Sequence, residues 1–217
     1  MRRGLYRAAR RLLPAAGRDA VDLLFHPRSA IVQRGWRESR REGLPVGSRG
    51  EPLPWYTYPA ISFLSDRVPA SAMVFEYGMG NSTLWWASRV ERVVSVEHDQ
   101  AWFDRLQLQR PENVQARCWP ETSDEYVEAA SSPDRGIDIL VNDGRRRNEC
   151  IVNAVAGLSA GGCVVWDNSE RPEYRPAFDF LEDQGFSGRI DFTGMGPINA
   201  YEWCTTIFYR PANCLGL

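Results

Sequence analysis

From residue 72 onward, short apolar runs alternate with stretches of helical periodicity. Runs at 73–77, 93–97, 114–117, 137–142 and 163–166 are apolar enough for strands buried on both faces. The stretches between them, near 82–89, 100–109, 122–130, 147–158 and 174–184, predict helices. Such alternation implies a parallel, doubly wound α/β sheet with helices on both faces. Two further runs, 189–193 and 205–209, have only a loop between them and predict an antiparallel finish, giving about seven strands with the last one antiparallel.

Upstream the pattern differs. In residues 1–13, MRRGLYRAARRLL, Leu5, Ala8, Ala9 and Leu12 fall at helical spacing while five arginines point elsewhere, predicting a short basic amphipathic helix. Such a helix either packs on the domain with a solvated arginine face or docks peripherally on a membrane or a protein partner. Residues 43–54 are rich in Gly and Pro and read as a linker or an ordered loop. The chain thus divides into a basic, partly helical N-terminal extension, 1–50, and one α/β domain, 51–217.

Charge sharpens this division. The net charge of −2 averages residues 1–50, with 12 arginines against 4 acids, and residues 51–217, with 14 arginines against 24 acids. All 26 basic residues are arginine. Without lysine, Schiff-base chemistry, pyridoxal-phosphate anchoring and a lysine-bearing phosphate loop are excluded on this chain. The five cysteines are odd in number and form no C-x-x-C, which fits a reducing, cytoplasmic setting better than a disulfide framework. No apolar run approaches the ~18 residues of a membrane span, and no apolar stretch follows the arginine-rich start as a secretory signal requires. With only His26 and His98, histidine-rich metal sites and most histidine relays fall away.

The strongest chemical signal is Phe75-Glu76-Tyr77-Gly78-Met79-Gly80-Asn81-Ser82-Thr83-Leu84, which leaves the first predicted strand and enters the first helix, with Asn81 or Ser82 as its N-cap. Gly78 and Gly80 permit close backbone approach to a ligand. A dinucleotide fingerprint would carry glycine at 83, where Thr83 stands, and the Glu76 carboxylate repels phosphate but attracts an ammonium or a hydroxyl. The second strand ends Val96-Glu97-His98-Asp99, which places Glu97 where a strand-end acid reaches ribose hydroxyls.

On this E-x-G-x-G-N-S block with V-E-H-D, residues 55–210 resemble a class I S-adenosylmethionine-dependent methyltransferase. The resemblance implies a Rossmann-like sheet with the cofactor at the carboxyl ends of the first strands. It sets Glu76, Gly78, Gly80, Asn81 and Ser82 around the methionine moiety and Glu97 on the ribose. His98 and either Cys118 or Trp119 shape the adenine side, and Thr57 and Asp143 complete the set.

The fourth strand ends Asn142-Asp143-Gly144 and the fifth Trp166-Asp167-Asn168, so Asp143, Asp167 and Asn168 converge on one crevice in a parallel sheet. Three hard oxygen donors suit Mg²⁺ or Ca²⁺, and the arrangement is similar to metal-dependent catechol-type O-methyltransferases. Those enzymes carry a lysine base shortly after the first Asp, where this chain has Arg145-Arg146-Arg147. Arginine is a poor base but a good anion clamp. Either Asp143 is the base and the arginines hold an anionic acceptor, or no metal is involved. Asp143, Arg146, Arg147 and Asn168 form the catalytic set on this reading.

Two aromatic blocks, Leu53–Ala60 and Gly194–Trp203, bracket the core and suit stacking on a sugar or planar acceptor. Both are similar to bacterial methyltransferase-like proteins of glycan or secondary-metabolite tailoring. The expectation is an O-methyltransferase acting on a small hydroxylated acceptor. A nucleic-acid substrate is not expected, because the domain's acidic balance opposes a phosphate backbone. The alternatives are a dinucleotide-binding oxidoreductase and a non-catalytic cofactor-binding module docked through the basic helix.

Overall fold

The computed structural model describes residues 12–131 and 136–217. The basic helix expected over 1–13 lies, for residues 1–11, outside the described residues. Three helices precede the sheet: α1 (Ala15–Phe25), α2 (Ala30–Gln33) and α3 (Trp36–Glu42), and α4 (Tyr58–Ser65) leads into it. The core then runs β1 (Met73–Tyr77), α5 (Asn81–Ala87), β2 (Arg92–Glu97), α6 (Gln100–Gln107), β3 (Val114–Cys118), α7 (Asp124–Glu128), β4 (Ile137–Asn142) and α8 (Arg147–Ala154). It finishes with β5 (Leu158–Asp167), α9 (Arg175–Asp183), β6 (Gly188–Gly194) and β7 (Trp203–Tyr209).

The seven strands lie in the order β3-β2-β1-β4-β5-β7-β6. β1 to β5 pair in parallel, and β7 inserts between β5 and β6, antiparallel to both. This is the doubly wound, Rossmann-like α/β sheet that the alternation of strands and helices predicts.

Period-two alternation divides the strand residues between two apolar layers. Phe75, Val94, Leu140, Val164 and Trp166 meet Tyr126, Ile151 and Phe178 on one face. Val74, Val93, Ile139, Val141 and Val165 meet Leu64, Trp85 and Trp86 on the other. Burying an aromatic or branched side chain of this kind contributes about 1.5–3 kcal/mol.

β5 begins five residues earlier than the apolar run 163–166 indicates. A Cβ on Gly162 would stand 3.0 Å from the Ile137 carbonyl, so the glycine lets the strand lie close against the irregular start of β4. The helix expected over 147–158 stops at Ala154, and a 3₁₀ turn, Val155–Gly157, feeds β5.

The sheet has its topological switch between β1 and β4, where successive crossovers leave in opposite directions. A crevice at the carboxyl ends of the strands is expected there. Register aligns Tyr77 with Val96 on one side and with Asn142 on the other, so the loops after β1, β2 and β4 meet.

The Gly/Pro-rich stretch is an ordered loop. Val46 and Pro52 form an isolated bridge, and Leu53 N donates to Pro45 O at 3.1 Å. Ser39 Oγ donates to Val46 O at 2.7 Å, Trp36 Nε1 to Asn199 O at 2.7 Å, and Asn81 Nδ2 to Pro45 O at 2.6 Å. These bonds bring Pro45 to the crevice. Among the described residues no helix is long and apolar enough to cross a membrane.

Candidate active site

The turn from β1 into α5 is built around Glu76. Gly78 takes a left-handed φ of 96°, and a Cβ there would stand 3.2 Å from the Asp143 carbonyl, so glycine lets the loops after β1 and β4 touch. The helix N-cap is Gly80, one residue before Asn81 and two before Ser82, the expected candidates. Thr83 is the reason. Its Oγ1 accepts from Gly80 N at 3.0 Å and donates to Glu76 Oε2 at 2.5 Å, while its N–H donates to the Gly80 carbonyl at 3.1 Å. The residue that breaks the dinucleotide fingerprint is therefore the strut that holds the buried acid. Ser95 Oγ donates to the same Glu76 oxygen at 3.2 Å. Glu76 Oε1 is buried without a partner among the described residues. Burial pushes the Glu76 carboxyl up to about 8, aided by the Asp143 charge and opposed by the Ser82, Thr83 and Ser95 hydroxyls.

At the end of β2, Glu97 is only 4% exposed. Its Oε1 accepts from His98 N at 2.8 Å and Asp99 N at 2.9 Å, and its Oε2 accepts from Met79 N at 2.9 Å. The carboxylate thus ties the β1 and β2 loops together. Asp99 caps α6 by accepting from Trp102 N at 2.9 Å, which aims Trp102 at the turn, where its Nε1 donates to the Met79 carbonyl at 2.6 Å. His98 lies edge-on to Tyr126, with Nε2 3.4 Å from Arg145 Nε.

The three arginines after β4 separate into different roles. Arg146, at a left-handed φ of 47°, turns away from the crevice: it pairs with Glu149 and donates to the Glu121 and Ser123 carbonyls at 3.1 and 3.2 Å. Arg147 is buried. It donates to the carbonyls of Gly144 and Asp167 and pairs with the Asp143 carboxylate at 2.7 Å. Arg145 is exposed at the rim of the crevice. Burial pushes the Asp143 carboxyl up, and the Arg147 guanidinium opposes this.

These loops enclose a cleft of about 520 Å³, within the range of small-molecule sites. Gly78, Gly80, Asn81 and Ser82 form one wall, Glu97 and His98 a second, and Asp143, Gly144, Arg145 and Arg147 a third. Glu76 is not among the lining residues: it is fully buried near the end of β1, two residues before Gly78. Five lining residues were not singled out from the sequence: Pro45, Met79, Asp99, Trp102 and Arg171. The cap Asp99 three positions before Trp102 was the one local signal available.

Several expected residues stand apart from this lining. Thr57 is fully buried; its Oγ1 donates to the Phe192 carbonyl and its N–H to Thr205 Oγ1, both near 3 Å. Trp119 packs partly buried against the core, its N–H donating to the Glu97 carbonyl at 2.9 Å, and Cys118 precedes it at the end of β3. Asn168 sits in a left-handed turn with φ 53°. The loop between β6 and β7 folds onto the N-terminal segment, with Tyr58 N donating to Met195 O at 2.8 Å.

The donor set does not fit a divalent metal. Asp167 Oδ1 is turned into the sheet, accepting from Thr205 Oγ1 at 2.6 Å and Trp203 Nε1 at 3.0 Å. Asp143 Oδ1 is taken by Arg147, whose guanidinium bridges the two strand ends. Among the described residues no group of three or more His, Cys, Asp or Glu is placed to hold a metal ion. The Mg²⁺ site expected from Asp143, Asp167 and Asn168 is therefore replaced by an internal cation.

No protein-family model matches the chain, and no curated protein matches it. Solved structures do. A proposed O-methyltransferase from Klebsiella pneumoniae aligns over 88% of this chain and 94% of its own, with a TM-score of 0.55 and 16% identity. The precorrin-8w decarboxylase of Methanobacterium thermoautotrophicum aligns over 78% of this chain and 97% of its own, with a TM-score of 0.53 and 17% identity. At such identities the likeness concerns architecture. The chain has the α/β Rossmann-like methyltransferase fold, six strands running in parallel and the last antiparallel.

Proposed function

We propose that the protein is an S-adenosylmethionine-dependent methyltransferase that O-methylates a small hydroxylated acceptor, such as a sugar or a secondary metabolite. The observation that carries this reading is the buried Glu76 with its unpartnered Oε1, under a Gly78–Gly80 turn at the sheet's switch point. A buried polar atom without a partner costs about 1–3 kcal/mol, so an acceptor held ready for a ligand's ammonium accounts for retaining it. The sulfonium cofactor supplies an electrophilic methyl group when bound.

The chain's own residues do the rest. Gly78, Gly80 and Ser82 let the backbone approach the methionine portion, Glu76 receives its ammonium, and Glu97 offers its remaining lone pairs to ribose hydroxyls. Trp102 and His98 give flat surfaces on the nucleoside side. Asp143 accepts the proton from the acceptor hydroxyl. Its raised affinity for protons suits a base, and Arg147 fixes its orientation. Exclusion of water and alignment of the acceptor supply the remaining rate enhancement.

Calorimetric titration with S-adenosylhomocysteine tests the reading. Binding that Glu76→Gln and Glu97→Ala each weaken supports it, and an intact protein that shows no binding removes it.

A further inference from the structure

The charged groups of the cleft differ in how firmly the protein itself holds them. Each acid is internally engaged: Glu97 by three backbone N–H groups, Asp99 as the cap of α6, and Asp143 by Arg147. Two cations are held less tightly. Arg171 lines the cleft, is exposed, and makes no ion pair among the described residues; it acts on Asp143 only through space. Arg145 lines the same cleft with its side chain 64% exposed; its pair with Glu121, at 3.5 Å, and its hydrogen bond to His98 Nε2, at 3.4 Å, are both long. An exposed pair of that geometry holds its arginine weakly.

The two arginines follow β4 and β5, which are neighbours in the sheet, so both guanidinium groups can meet one ligand beside Asp143. They balance the cleft: its lining holds Arg145, Arg147 and Arg171 against Glu97, Asp99 and Asp143, in a domain where residues 51–217 carry 24 acids against 14 arginines. Trp55, 43% exposed, lines the same space and presents a flat face.

We infer that the acceptor is anionic: a hydroxylated, ring-bearing molecule whose carboxylate or phosphate is clamped by Arg145 and Arg171 while Asp143 faces its hydroxyl. This rests on the methyltransferase reading for the role of the clamp, though not for its existence. Guanidinium recognises both oxyanions in bidentate fashion, so the chemistry is common to sugar acids and sugar phosphates.

The test titrates the protein, with and without saturating S-adenosylhomocysteine, with D-glucuronate, D-glucose 6-phosphate and neutral D-glucose. A charged sugar is expected to bind at least about tenfold more tightly than glucose, the scale of one charge-assisted contact. Arg171→Gln and Arg145→Gln should each remove most of that preference, and Arg171→Lys should keep part of it. Preference for glucuronate alone assigns a carboxylate; preference for the phosphate ester alone assigns a phosphate. Equal affinity for all three sugars, no binding of either charged sugar, or a preference unchanged in both glutamine variants overturns the clamp. A loss that only follows weakened S-adenosylhomocysteine binding in the same variant also overturns it. Should the charged sugar bind through Arg171 to a protein that does not bind S-adenosylhomocysteine, the clamp stands and the methyltransferase reading falls.

Discussion

Arg147, the first residue of α8, donates through Nη2 to Asp143 Oδ1 in the preceding loop at 2.7 Å, and the same guanidinium donates to the Asp167 carbonyl at the end of β5. One buried cation thus fixes the candidate base and joins two strand ends. Removing one member of a buried pair leaves the other charge uncompensated, at about 3–5 kcal/mol. Arg147→Met is expected to lose stability on that scale in denaturant unfolding. Asp143→Asn keeps an oxygen acceptor for Arg147 but leaves its charge unneutralised, so it should lose part of that stability, and under conditions where it is still folded turnover should drop about 10²–10⁴-fold, the usual contribution of a general base. Full activity in Asp143→Asn would place the base elsewhere.

Glu76 gives the protein a pH signature. Its folded carboxyl titrates near 8, well above the ordinary carboxylate range, so between about pH 4.5 and 8 the folded state holds more protons than the unfolded one. Stability of the ligand-free protein must then fall as pH rises through that window and level off below it. Asp143 and Asp167, also raised by burial, add to the same slope. Glu76→Gln should reduce the fall in Tm between pH 5 and 8. A Tm profile indistinguishable from that of the native protein would contradict the buried, protonated Glu76.

Glu97 is expected to matter twice. Glu97→Ala leaves the N–H groups of Met79, His98 and Asp99 without their acceptor, so Tm should drop. Affinity for S-adenosylhomocysteine should weaken by roughly 1–3 kcal/mol, the cost of a lost hydrogen-bonding carboxylate. Weakened folding with unchanged affinity would confine Glu97 to a structural role.

Much of this was legible in the chain because the relevant information is local. Alternation of apolar runs with helical periods gives the doubly wound sheet, and the strand-to-helix turn from Glu76 to Ser82 carries its own chemistry in its glycines and acid. What was not legible depends on direction. Arg145, Arg146 and Arg147 look equivalent in sequence, but a single left-handed residue sends Arg146 to Glu149 and Arg147 into the core. Asp167 looks like a metal ligand until β7, arriving from 36 residues downstream, supplies Trp203 and Thr205 as donors. Arg171 was missed because it lies in a loop with no periodicity to mark it.

Chelation offers a further check. Because Arg147 stands where the expected Mg²⁺ would bridge Asp143 and Asp167, activity should survive exhaustive treatment with EDTA. Loss of activity that Mg²⁺ restores would show that the guanidinium is displaced by a metal in the working enzyme.

Whether the Glu76–Ser82 turn and Glu97 form a nucleoside–methionine site is decided by titrating the full chain with S-adenosylhomocysteine in an isothermal calorimeter. One site per chain is expected, with net proton release at pH 7, read from the buffer dependence of the heat, that Glu76→Gln abolishes. A folded protein that gives no heat and no thermal shift with S-adenosylhomocysteine would contradict it.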